Sequence, residues 1–411
     1  MAIIFFGIPH ESIVFKNINK WIHTAGIPDI FCEYEENLKR YKTKLLGKYD
    51  VVTIDDALLL YPDAEVWVTY PKADNTSKML ATKLSPHKIF FLEADLEYRK
   101  GCGSLGNFFL YKENSFSPCS VRQPTALTSG TIRQRVAQWH DYTIKLIDDI
   151  NNGRPTKCDE CHLLRYGFYR KSIKLEQFLL SQELKYDACN FKCIYCAASK
   201  RLERIKGVTE GYTSYDVLQQ LSEIPELDTE ELTIRLANGE FTVNRYFNEM
   251  ADVISKTKWK ILLQSNMSVY REKLAELMEN HRLTKTMVSL DAGTSETFKK
   301  IKQRDMFNKV LGNLSKYPVN KANLNLKYIF LEGLNDNETD IDGFCEIAKK
   351  FGAQIMLSSN RRAPYTEKMK ELTMRLIKNV KADGIKVYAE TNFTNPQDAK
   401  FINSRFAANR L

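Results

Sequence analysis

Apolar and polar positions alternate regularly in two stretches of the chain, separated by a stretch that breaks the rhythm. Up to about residue 95, short apolar runs punctuate amphipathic segments. The runs are Ile3-Ile4-Phe5-Phe6, Asp29-Ile30-Phe31-Cys32, Val51-Val52-Thr53-Ile54, Val66-Trp67-Val68-Thr69 and Ile89-Phe90-Phe91-Leu92. Helical patterns such as Glu36 to Leu46 and Asn75 to Leu84 lie between them. Strands alternating with helices predict a parallel sheet wrapped by helices. The first run ends in Gly7-Ile8-Pro9-His10 rather than G-x-G-x-x-G, so dinucleotide binding is not predicted.

Between about 97 and 171 the pattern changes. Asn107 to Tyr111 and Ser115 to Ser120 predict two short strands around Lys112-Glu113-Asn114. A helix from about Arg133 to Asn151 and a turn at Gly153-Arg154-Pro155 follow. From residue 172 the alternation returns. Strands are predicted over Gln177–Leu184, Leu232–Leu236, Ile261–Ser265, Met287–Leu290, Leu324–Phe330 and Ile355–Ser358. Helices are predicted over Tyr215–Ile224, Arg245–Lys256, Tyr270–His281, Ser295–Leu314 and Asp340–Phe351. Six βα units suffice for a partial (β/α)6 barrel of the TIM type, with its active site at the carboxyl ends of the strands. The expected class is α/β, divided into 1–96, 97–171 and 172–411.

Composition narrows this picture. Of 411 residues, 43% are hydrophobic and 27% charged, which suits a chain with a substantial core and excludes collagen, coiled coil and small disulfide scaffolds. Lys and Arg outnumber Asp and Glu by 60 to 51, a modest excess that does not predict nucleic-acid binding. Part of it is local, with eleven basic and five acidic residues from Arg361 to Leu411. The early apolar run Ala2 to Ile8 is far short of the ~20 residues of a membrane span and lacks the flanks of a signal peptide. A cytoplasmic, reducing location is expected, in which nine cysteines serve as packing residues, metal ligands or reactive thiols.

Spacing separates those roles. Directly after the strand predicted from Gln177 comes Cys189-Asn190-Phe191-Lys192-Cys193-Ile194-Tyr195-Cys196. Three thiolates at C-x3-C-x2-C on one loop can hold three corners of an iron–sulfur cube and leave the fourth iron open. Zinc competes, but its sites usually pair C-x2–4-C with a second pair elsewhere.

On this motif, residues 172 to 362 resemble the radical S-adenosylmethionine (radical SAM) superfamily. The resemblance implies a 4Fe–4S cluster on Cys189, Cys193 and Cys196, with S-adenosylmethionine chelating the open iron. It implies one-electron cleavage of that sulfonium to methionine and a 5′-deoxyadenosyl radical. Tyr195 matches the family's aromatic position near the adenine. Ala237-Asn238-Gly239-Glu240 resembles the GGE motif that receives the methionine amino group, with Asn238 replacing the first Gly. Ser289-Leu290-Asp291-Ala292-Gly293-Thr294 is similar to the ribose-contacting segment. Ser289 and Asp291 would alternate onto one side of an extended strand and both face the ribose. Gln264 and Asn266 are weaker candidates, as are Lys327, Glu332, Asn335, Arg361 and Arg362 on the substrate side.

Cys102 and Cys119 bracket the predicted hairpin, and Cys158-Asp159-Glu160-Cys161 follows the next helix. This order resembles the SPASM or twitch auxiliary-cluster extensions of the same superfamily, although those normally follow the barrel. Four cysteines suffice for one further 4Fe–4S cluster, and equally for structural zinc. Cys32 and Cys345 are expected to be packing residues. Residues 1–96 resemble, in layout alone, the Rossmann-like domains attached to some sugar-modifying enzymes. The resemblance implies hydrogen abstraction from a small-molecule or glycan substrate, foremost a sugar or sugar phosphate, with an electron donor such as flavodoxin or ferredoxin. A peptide-modifying maturase and a non-catalytic iron–sulfur protein are the alternatives.

Overall fold

The computed structural model describes residues 3–7, 30–33, 44–45, 49–68, 82, 84, 87–91, 95–112, 115–117, 125–126, 130–161, 164–180, 188–196, 211–237, 239–280, 282–318, 323–360, 363–390 and 395–407. Its contacts divide into two compact units, one of residues 1–105 and 141–174, the other of 106–140 and 175–411.

The first unit holds a six-stranded sheet. Along the sheet its strands run Lys44–Leu45, Tyr49–Thr53, Ile30–Glu33, Ile3–Phe6, Glu65–Val68 and Ile89–Phe91. All neighbours are parallel except the first pair. The expected helix over 36–46 ends instead in the short strand Lys44–Leu45; its remainder, and most of 75–84, lie outside the described residues. Ile4, Phe6, Cys32, Val66 and Val68 pack in the core against Ile54 and Ala57 of the helix Ile54–Leu60. Thr53 caps that helix by accepting from the Asp56 amide, which satisfies one of its orphan donors. An antiparallel ribbon of Leu96–Gly101 with Arg165–Arg170 completes the unit.

The second unit is built on a ten-stranded sheet. Eight of its strands are parallel and are labelled here in chain order: β1 (Asn107–Lys112), β2 (Gln177–Leu180), β3 (Thr233–Leu236), β4 (Lys260–Ser265), β5 (Leu283–Ser289), β6 (Leu324–Ile329), β7 (Gln354–Ser358) and β8 (Val387–Ala389). Ser115–Ser117 and Thr125–Ala126 add an antiparallel edge beyond β1. Thus the stretch 97–171 does not stand alone. Its hairpin strand β1 lies in parallel register with β2, Phe108 against Phe178, with their rings stacked at 4.9 Å. Trp139 closes that corner by donating from Nε1 to the Asn107 carbonyl at 2.8 Å.

The sheet is strongly curved. Five strand steps separate β3 from β8, roughly 24 Å if the sheet were flat, yet Arg235 on β3 and Glu390 just after β8 lie 4.0 Å apart. Lys327 on β6 reaches the same carboxylate at 3.2 Å, and Tyr388 on β8 donates to Asn325 on β6 at 2.5 Å. These side chains line the concave face, while helices follow the strands. Every position of β6 is buried, although Asn325 and Lys327 alternate with its apolar residues.

One close approach fixes the loop after β5. A Cβ on Gly293 would run into the Asp340 carbonyl of the helix Glu338–Phe351, and one on Gly343 would meet Gly293. The Gly293 amide also donates to Asp340 Oδ1 at 3.0 Å. Gly293→Ala must push the helix away and is expected to lose about 1–3 kcal/mol, as overpacking does. Urea unfolding of the variant measures this, and an unchanged midpoint would contradict the packing described.

Candidate functional site

The cysteine loop lies beyond the carboxyl end of β2 and is tied down from two sides. On one side the Glu240 amide donates to the Ala188 carbonyl at 2.8 Å. On the other, the loop meets the C-terminal turn of the helix Ser295–Lys302, whose last carbonyls lack partners within the helix. Ile194 N donates to Ile301 O at 3.0 Å, Lys192 N to Lys302 O at 3.3 Å, and Arg304 Nε returns to Asn190 O at 3.1 Å. Phe191 is buried edge-on against Phe298 of that helix.

Cys189, Cys193 and Cys196 form no disulfide and are partly buried. Burial pushes the Cys189 thiol up to about 12, with the Glu240 and other cysteine charges adding to the shift. Burial raises Cys193 as well, against the pull of Lys302. Both shifts favour the neutral thiol at Cys189 and Cys193, and metal binding draws off such protons. Among the described residues no three His, Cys, Asp or Glu side chains are gathered tightly enough for a single metal ion. The corners of an iron–sulfur cube are separate irons, so its ligands need not meet at one point.

The polar strand ends predicted from sequence fall into two groups. Glu240 and Asp291 are buried and fully engaged. Glu240 begins the tight turn Phe241–Val243, and its Oε1 accepts from the Thr242 and Ser265 hydroxyls, each at 2.7 Å. Its Oε2 accepts from the Asn266 amide at 2.6 Å. Burial raises its pKa, and those four donors, counting the Thr242 amide, pull the other way. Asn266 extends this network, giving its Nδ2 to Asn190 Oδ1 at 2.9 Å and to Cys189 Sγ at 3.9 Å.

Asp291 departs from the expected alternation. Strand β5 ends at Ser289, and Asp291 has φ 59°, a left-handed conformation that turns its side chain inward. Oδ2 accepts from the Lys302 ammonium and from the Tyr195 hydroxyl, both at 2.5 Å, and Oδ1 from the Ile329 amide at 2.9 Å. Tyr195 is thereby tied to the protein core through its hydroxyl. Asn335 is structural too, since its Nδ2 donates to the carbonyls of Asp291 and Ile329.

Ser289 and Gln264 form the second group. Both are partly exposed, and neither makes a side-chain hydrogen bond among the described residues. Gln264 lines a pocket of about 390 Å³, counting its open mouth, with Ala188, Leu236, Ala237, Glu240 and Phe241. Gly239 has φ 91° beside it, while Asn238, Arg361 and Arg362 lie outside the described residues. Lys302, Ser265 and Thr242 were missed by sequence reasoning. Lys302 had a signal, because it continues the helix face of Phe298 and Ile301, where an apolar residue is normal.

Among the remaining cysteines, Cys158 and Cys102 pack in one apolar cluster with Leu105, Leu146 and Ile150. Cys158 to Cys161 forms a turn closed by Cys161 N donating to Cys158 O at 3.1 Å, with Glu160 at φ 58°. Cys119 lies outside the described residues. Cys32 and Cys345 are buried in the core, as packing residues are. No helix among the described residues is long and apolar enough to cross a membrane.

Residues 184–346 match the Radical SAM superfamily family. The GTP 3′,8-cyclase of Synechocystis sp. is 30% identical over 192 residues, 46% of this chain and 55% of that protein. The GTP 3′,8-cyclase of Mannheimia succiniciproducens is 26% identical over 159 residues, 38% of this chain and 45% of that protein. The chain thus spans about half the length of the curated relatives it matches. A radical SAM methyltransferase from Sphaerobacter thermophilus aligns in structure with a TM-score of 0.35 and 14% identity, over 49% of this chain and 63% of that one. The family match spans the cysteine loop and strands β3 to β6.

Proposed function

We propose that the chain binds a 4Fe–4S cluster through Cys189, Cys193 and Cys196 and uses it to cleave S-adenosylmethionine reductively. The observation that carries this reading is the loop itself: three thiols in no disulfide, partly buried and tied down at the carboxyl ends of a curved parallel sheet. The donor set suits the cluster, since three thiolates fill three corners and leave one iron for another ligand. When bound, the cluster supplies one low-potential electron to the sulfonium, whose carbon–sulfur bond breaks to methionine and a 5′-deoxyadenosyl radical. The chain's own residues do the rest. Ser289, Gln264 and the Gly239 backbone are the strand-end groups available to hold S-adenosylmethionine. Glu240 and Asp291 support them from behind, because their oxygens are already taken. The curved sheet serves as a partial barrel that keeps water from the radical and orients a substrate hydrogen.

The substrate reading favoured is a sugar phosphate or another phosphorylated small molecule. Lys285, Lys327 and Arg235 gather around the carboxylate of Glu390 on the concave face, and such a group of cations suits an anion. The name of the relatives, GTP 3′,8-cyclase, supports a nucleotide as a second reading. The amino-terminal sheet fits a Rossmann-like layout, its five parallel strands lying in the order third, second, first, fourth, fifth. Cys102, Cys119, Cys158 and Cys161 are proposed to hold a second 4Fe–4S cluster, and a flavodoxin or ferredoxin to deliver the electron. Anaerobic reconstitution with a strong reductant should give 5′-deoxyadenosine from S-adenosylmethionine. A cluster-loaded protein that forms none would overturn the reading.

A further inference from the structure

Tyr195 sits between the second and third cysteines of the loop, and its surroundings are more elaborate than an aromatic contact requires. Its hydroxyl donates to Asp291 Oδ2 at 2.5 Å and accepts from the Lys302 ammonium at 2.9 Å. That ammonium also lies 5.2 Å from the centre of the Tyr195 ring. Lys302 and Asp291 are 1% and 0% exposed, so the two charges that grip the phenol are themselves sealed in the core. Low dielectric and full pairing make such bonds strong and their geometry stiff. The ring rests on Ile301, Ile329 and Leu331, which leaves it little room to turn away.

We propose that Tyr195 is a positioning residue: clamped by the Asp291–Lys302 pair, it holds Cys193 and Cys196 in their cluster-binding arrangement before any iron arrives. The inference rests on the proposed cluster for its purpose, but its physical content belongs to the metal-free chain. A loop that is ordered in advance loses less conformational entropy when it takes up metal. The backbone bonds of Lys192 and Ile194 to the helix Ser295–Lys302 set the loop's height, and Tyr195 sets its rotation.

The test uses Tyr195→Phe in the full, iron-free chain, which keeps the ring and the ion pair but removes both hydroxyl bonds. Alkylation of each thiol by iodoacetamide is followed by mass spectrometry, with buried Cys345 as the internal reference. Losing bonds to charged groups should open the loop about ten- to a hundredfold more often. Cys193 and Cys196 should therefore react faster by about that factor, with Cys345 unchanged, and the Ile194 amide should exchange faster with deuterium. Unchanged rates at Cys193 and Cys196 would overturn the proposal, as would equal acceleration at Cys345, which signals global loosening. In Lys302→Met, whose stability changes as well, amide exchange at Ile194 relative to core amides provides the second measurement. A relative rise supports the clamp and parity refutes it. None of these readouts needs iron or S-adenosylmethionine, so this inference and the proposed activity can fail separately.

Discussion

Asp291→Ala should destabilise the protein by about 3–5 kcal/mol, because it leaves the Lys302 ammonium charged, buried and without its carboxylate. In the native protein burial alone would lower the Lys302 pKa, but Asp291, followed by Cys193, outweighs it and the net shift is upward. A raised lysine pKa means that the folded state holds the proton more tightly than the unfolded one. The stability that Lys302 contributes is therefore complete below the ordinary lysine value and is lost only as pH rises through the folded value. Urea unfolding at neutral pH should show the full loss in Asp291→Ala. The double variant Asp291→Ala with Lys302→Met should recover most of it, since removing both charges also removes the burden of burying one alone. If the single variant unfolds like wild type, the buried pair is not an energetic unit and the clamp on Tyr195 loses its foundation.

Replacing Cys189, Cys193 or Cys196 by alanine should abolish formation of 5′-deoxyadenosine altogether. Two thiolates cannot hold the cube with one iron open, and no other cysteine lies on this loop. Loss of function here should come with little loss of fold, because partly buried thiols contribute little packing and the loop's ties run through its backbone and through Asn190, Phe191 and Tyr195. The triple variant should lose the loop's iron and keep about four irons if the second set of cysteines binds a cluster. Zinc in that variant would make the second set a structural site. Full turnover in any single variant would remove the loop from the mechanism.

The central strands were legible because their buried runs are bounded by turn residues, and four of the six in the second unit were expected within two residues of their observed limits. What could not be read was which strand joins which sheet. β1 looked like half of an isolated hairpin, since nothing local announces parallel pairing of Asn107–Lys112 with Gln177–Leu180. β8 was missed although Val387-Tyr388-Ala389 alternates correctly, because three residues carry too little pattern. The cysteine loop stood out by spacing alone. The role of Asp291 did not, because period-two reasoning holds only while the backbone stays extended, and the left-handed turn at Asp291 breaks it.

The division of the chain has a consequence for its biosynthesis. Multidomain chains generally fold amino-terminal part first as they leave the ribosome. Here the first unit still lacks 141–174 when β1 emerges, and β1 must wait for β2 to find its parallel partner. The chain passes from one unit to the other three times, after 105, within the helix Ile132–Asn151 after 140, and after 174. No single cut in the polypeptide, or in a gene encoding it, would release either unit whole. The two units are therefore bound to be made, and inherited, together.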